Sequence, residues 1–290
     1  MVGGRGRLVL AGRVLLAIGL AVFLAYAAVD NWNRLRDVDL HLRPVWLLLA
    51  APFTLAGGLL LPLAWRHVLF AYGAPIGRRA ALRAWCLSQA SRFVPGNIAQ
   101  FASRILLASR VGVSRRVAGV SLVVEAGVIL AWGGVFAAWV PSTSVAGPLR
   151  AALAAGSVAA LLAAPWLLRL VGRIVPLGRH RVRHLYEAEA IYGLNDVVRS
   201  IGFVFVAAAV QHLEGRDLFL VVGAVNAGMA VGMVGITPAG IGVREGVIAA
   251  VLGPRFGLGN AAALAVLFRV WEFAVELVWL VAALRLNRKR

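Results

Sequence analysis

Apolar runs of about 20 residues recur along this chain, and a run of that length carries one helix across the hydrocarbon core of a bilayer. They cover residues 8–29, 45–65, 118–140, 149–170, 191–210, 218–235 and 261–284. Of the 290 residues 61% are hydrophobic and only 14% charged, where a soluble domain carries about 25% charged residues. The chain therefore reads as an all-α polytopic membrane protein. It forms a single integral membrane domain over residues 1–290, with little room for a separate soluble domain.

Charge sets the expected orientation. The net charge of +18 comes from 30 basic against 12 acidic residues, and Lys289 is the only lysine. The basic residues gather in short loops, as the positive-inside rule and attraction to anionic lipid headgroups require. This pattern argues against a nucleic-acid partner. Arg5, Arg7 and Arg13 put the N-terminus in the cytoplasm, and the mixed-charge residues 30–43 fit the outer face. Arg66, Arg78, Arg79, Arg83 and Arg92 mark a cytoplasmic stretch, as do Arg173, Arg179, Arg181 and Arg183. Residues 211–217 fit the outside, and the basic tail, Arg285 to Arg290, fits the inside. The expected location is the inner or plasma membrane, with both termini cytoplasmic.

Two segments interrupt the apolar pattern. Pro95-Gly96-Asn97 separates two short helical stretches, 80–94 and 98–109, and suggests a re-entrant hairpin. Residues 236–246 place Pro238, Gly240, Gly242 and Gly246 beside the charged pair Arg244-Glu245. Hydrocarbon tolerates neither loose backbone nor charge unless protein or water satisfies it. Reading 218–235 and 242–252 as a second hairpin, entering from outside, lets the final span return the tail to the cytoplasm. The expected fold is then about six full spans plus two re-entrant helical hairpins. Each half reads span, span, hairpin, span, giving pseudo-repeats of about 8–140 and 149–284. Three crossings per half orient the halves oppositely, and inverted repeats with broken helices are a transporter signature.

The candidate intramembrane charges are Arg92, Arg104, Glu125, Arg244, Glu245, Arg269, Glu272 and Glu276. A charge at the bilayer centre costs about 2.5–3.5 kcal/mol even on lenient scales, so these groups must pair or line a wet cavity. Arg269, Glu272 and Glu276 share one stripe of the last span. Arginine binds two phosphate oxygens with one planar fork, and broken helices offer free N–H groups that suit an anion. Arg92, Asn97, Arg104, Arg244 and Arg269 are accordingly the candidate substrate contacts. Glu125, Glu245 and Glu272 are the candidates for charge balance or proton coupling. Pro95, Gly96, Pro238, Gly240 and Gly242 form the breaks.

Other signals point to structure. The single cysteine, Cys86, reads as a packing residue. His67, His180, His184 and His212 show no metal-ligand spacing and read as loop or interface residues. The nine tryptophans, among them Trp32, Trp46, Trp65 and Trp139, read mostly as interfacial anchors. Asp196 and Arg199 form an i,i+3 pair near the start of a span. No catalytic triad, metal motif or phosphate-binding loop appears, so the sequence offers no positive case for an enzyme and implies no cofactor.

The segment from Pro95 to Arg104, followed by Gly112-Val113-Ser114 and Glu125, resembles the first motif of the lysylphosphatidylglycerol synthase transmembrane family, also called the flippase-like domain family. The segment from Pro238 to Glu245 resembles its second motif, Pro-Gly-Gly-x-Gly-x-x-Glu. Asn97 stands where many members have an acidic residue, and Ala239 replaces a glycine. The aminoacyl-transferase domain of the synthases is absent, so lysyl transfer is not implied. What the resemblance implies is movement of a lipid or lipid-linked sugar between leaflets, with anionic membrane lipids as partners. The alternatives are a secondary transporter for a small anion and a non-transporting membrane partner of a glycosyltransferase or lipid-modifying enzyme.

Overall fold

The computed structural model describes residues 42–91, 98–140, 147–170, 182–234 and 240–286. Among the described residues the chain is all-helical, with nine helices. These are α1 (Pro44–Ala71), α2 (Arg78–Gln89), α3 (Ile98–Ser109), α4 (Arg115–Ala137), α5 (Gly147–Leu170), α6 (Val182–Ala208), α7 (Gly215–Val234), α8 (Val243–Phe256) and α9 (Leu258–Arg285). The expected first span, 8–29, lies outside the described residues, as do Arg92, Pro95, Gly96, Asn97 and Pro238.

Five helices are long and apolar enough to cross a membrane: α1, α4, α5, α6 and α7. The list differs from the expected spans at two places. Helix α7, read from sequence as a hairpin arm, has the length and apolarity of a span. Helix α9, expected as the final span, is 28 residues long but carries Arg269, Glu272 and Glu276 in its middle and is not among the five.

The axis of the bundle is the pair α1 and α6. They run antiparallel: the Arg43 N–H donates to the Ala209 carbonyl at one end, 2.8 Å, and His67 meets Glu187 at the other, 3.0 Å. Small residues let the backbones approach, the usual device where lipid supplies no hydrophobic drive. A Cβ on Gly202 would lie 3.3 Å from the Thr54 nitrogen, and one on Gly57 would lie 3.2 Å from Asn195 Oδ1. Pro52 and Pro62 sit inside α1. Thr54 Oγ1 bonds back to the Ala50 carbonyl (3.0 Å) and accepts from Trp271 Nε1 (3.1 Å), tying α1 to α9.

Two helix pairs flank this axis, α2 with α3 and α7 with α8. Helices α2 and α3 are joined near their tips by Gln100 Nε2 donating to Gln89 Oε1, 2.6 Å. Their bases pack with Trp65, Leu69 and Ile76 beside the C-terminal end of α1. Helices α7 and α8 are joined at their base by a fork from Arg255 to Asp217, 2.8 and 3.0 Å. At their tips Gly232 of α7 lies under Arg244 and Gly240. This base belongs to the end of the bundle where α1 begins and α6 ends, so the two pairs open toward opposite ends of α1.

Gly240 and Gly242 shape the turn into α8, with φ of +68° and +82°. An L side chain is disfavoured at both, and at Gly240 the Gly232 backbone also fills the space a Cβ would need. The Gly242 N–H is capped by the Glu245 carboxylate at 2.7 Å, which starts the helix. Helix α4 starts on Ser114, whose Oγ accepts from the Val117 N–H at 3.2 Å. Helix α5 packs on α4, and Leu149, Leu153, Val158, Leu162 and Trp166 remain exposed along it. Such an apolar surface suits lipid, where hydrocarbon solvates it.

Candidate functional site

A cavity of about 220 Å³ lies where the two flanking pairs meet α1, α4, α6 and α9. Its wall takes Trp85, Gln89 and Gln100 from α2 and α3, Glu125 from α4 and Asn195 and Arg199 from α6. Arg244 of α8 and Glu272 and Glu276 of α9 close the other side.

Arg104 stands behind Glu125 and is 1% exposed. Its Nη1 donates to both carboxylate oxygens, at 2.7 and 2.8 Å, and its Nε to Ser88 Oγ at 3.0 Å. The guanidinium also lies 5.7 and 5.1 Å from the ring centres of Trp65 and Trp85, within cation–π range. Trp65 is fully buried and donates to Ser121 Oγ at 2.9 Å. The interfacial role expected of it is therefore corrected: its indole N–H is satisfied inside the bundle, beside the arginine.

Across the cavity, Arg244 is buried and meets Glu272 at 2.6 Å. Its neighbour Glu245 meets Arg269 at 3.6 Å. The expected stripe along α9 is thus divided between two partners on α8, with Arg269 facing Glu245 and Glu272 facing Arg244. Arg199 donates to Asp196 at 3.2 Å and to Asn226 Oδ1 at 3.0 Å, and it approaches Glu272 at 3.9 Å. Asn226 donates onward to Ser200 Oγ at 2.8 Å. The Asp196–Arg199 pair read from sequence is present, but it sits mid-helix rather than near the start of a span, because α6 begins at Val182.

Arg104 and Arg244 occupy matching places. Each stands on the second helix of a flanking pair, and each meets a glutamate of the long helix that follows, Glu125 on α4 and Glu272 on α9. The expected arginine-lined pocket therefore comes with carboxylates already seated on its arginines. Arg104 meets Glu125, Arg199 meets Asp196, Arg244 meets Glu272 and Arg269 meets Glu245. Polar capacity does remain: Arg199 Nε and Asn195 Oδ1 are buried with no hydrogen-bond partner among the described residues.

Arg199, Asn195, Asn226, Gln89 and Gln100 were not singled out from sequence as site residues. The signal available was a polar amide or charge inside an apolar run, which applies to Asn195 and Asn226. The histidine reading also needs correction: His67 and His184 lie on helices and converge with Glu187. The separation of 117 residues between the two histidines hides this in the sequence.

No family model matches this chain, and no curated protein matches it.

Proposed function

We propose that this chain is a flippase-like translocator that carries a phosphate-bearing lipid headgroup through the central cavity while the lipid tails remain in the bilayer. The observation that carries the reading is a largely apolar cavity between the two helix pairs that nevertheless carries Arg199, Arg244 and Glu272 in its wall. At about 1.5 Å per residue, α1 is roughly 42 Å long, so pairs that open toward its two ends enter from opposite faces of a membrane. In this reading α2–α3 and α7–α8 are re-entrant hairpins. The matching Arg104–Glu125 and Arg244–Glu272 pairs are then the two halves of an inverted repeat. The motif resemblance at Pro95–Arg104 and Pro238–Glu245 supports the same function.

The charge arrangement constrains the mechanism. Glu272 already lies against Arg244 and Arg199, so an incoming phosphate displaces it from them. Arginine's fork then takes two phosphate oxygens, and the freed carboxylate takes a proton, or a cation enters with the substrate, to keep the buried site near neutrality. Translocation is therefore expected to respond to a pH gradient or to the accompanying cation.

Liposomes carrying the purified protein and fluorescent anionic lipids test this. The wild type should speed leaflet exchange, and Arg244→Ala and Arg199→Ala should lower it at least tenfold with the fold intact. Exchange that is unchanged in both variants would remove the cavity from the mechanism. Uptake of a soluble anion without lipid exchange would favour a small-anion transporter instead.

A further inference from the structure

We propose that His67, His184 and Glu187 form a binding site for a divalent transition metal, with zinc as the best match, which clamps α1 to α6 at the end of the bundle away from Arg43. One ligand atom from each residue lies within 4.8 Å of the other two. His67 Nδ1 stands 3.0 Å from Glu187 Oε2, and His184 Nδ1 stands 2.8 Å from the same oxygen. Bonds of about 2.0–2.1 Å in tetrahedral geometry place ligand atoms roughly 3.3 Å apart. The trio thus needs shifts of only a few tenths of an ångström at these two edges to hold an ion.

The chemistry of the donor set agrees. Two imidazoles and one carboxylate form an open zinc set, with water completing the coordination. His184 and Glu187 are three apart and share a face of α6, and antiparallel packing brings His67 of α1 onto that face. The second Glu187 oxygen is already engaged: Arg183 Nε donates to Oε1 at 2.8 Å. Such an outer partner orients a ligating carboxylate. Phe70 lies 6.0 Å from the His67 ring and 5.7 Å, edge-on, from the His184 ring, which limits both rotations.

The ligands are reachable. Their side chains are 24%, 36% and 30% exposed for His67, His184 and Glu187. Arg66 and the exposed Arg183 mark the same end as polar. A metal here would bridge the two axial helices, so it would resist thermal separation of α1 from α6.

Tag-free protein in detergent, titrated with Co²⁺, tests the site. The wild type should show the visible d–d absorption of four-coordinate Co²⁺ at one equivalent, displaced by Zn²⁺, with a higher Tm in zinc. His67→Ala and Glu187→Gln should weaken binding at least tenfold. His67→Cys keeps a ligand and should add a thiolate-to-cobalt charge-transfer band in the near ultraviolet, which a purely structural histidine would not produce. No cobalt spectrum in the wild type overturns the site. So does undiminished binding by His67→Ala, or a His67→Cys protein of normal helicity that lacks the charge-transfer band.

Discussion

Removing the Glu125 carboxylate tests how far the buried charges depend on one another. In Glu125→Ala the Arg104 guanidinium keeps its place between Trp65 and Trp85 and its bond to Ser88, but loses both carboxylate contacts. Each hydrogen bond to a charged group contributes about 1.5–3 kcal/mol, which gives roughly 3–6 kcal/mol for the two. Breaking one side of a buried ion pair costs about 3–5 kcal/mol by an independent route. The expected loss is therefore about 3–5 kcal/mol, large against the roughly 5–15 kcal/mol that holds most native folds. The double variant Arg104→Met with Glu125→Leu removes both charges and should recover most of that loss, because apolar residues of similar volume replace buried pairs at little cost. Equilibrium unfolding in mixed micelles, followed by tryptophan fluorescence, measures all three proteins. A single variant within about 1 kcal/mol of wild type, or a double variant at least as unstable as Glu125→Ala, would refute the reasoning. Leaflet exchange on the same proteins then separates the roles: recovered stability without recovered transport makes the pair part of the mechanism.

At the tip of the second helix pair, Gly240→Ala should lose about 1–3 kcal/mol more than Gly242→Ala. Both positions are strained for a side chain, but only at Gly240 would the new Cβ lie 2.8 Å from the Gly232 oxygen; equal losses in thermal unfolding would show that this contact is not close. Orientation is open to thiol labelling in a Cys86→Ser background. Arg183→Cys and Arg216→Cys, at exposed positions (84% and 72%) of opposite ends of the bundle, should react with an impermeant maleimide from opposite sides of the membrane, and labelling from one side would overturn the hairpin topology.

The helices were legible because lipid imposes one strong demand, an apolar run of sufficient length. Their ends were less so. Helix α6 was expected from residue 191 and starts at Val182, because its first turns carry Arg183, His184 and Glu187 and leave the apolar pattern while the backbone remains helical. Trp65 and His67 show the same limit from the other side. Their types suggest an interface or a loop, yet α1 runs on to Ala71 and packs them against α4 and α6. The charged residues teach a narrower lesson. Apolar surroundings made it plain that Arg244, Glu245, Arg269 and Glu272 could not face lipid, and their spacing suggested a stripe along α9. Spacing three apart supports only a weak pairing within one helix, about 0.2–0.5 kcal/mol on an exposed surface. The packing of α8 on α9 offers each charge a partner on the facing helix, away from bulk water. Arg244 accordingly takes Glu272, and Glu245 takes Arg269. The sequence identifies which side chains must be neutralised, whereas the facing helix decides by what. In the proposed function that decision matters, because it leaves Glu272 between two arginines, where an incoming phosphate would have to compete with it.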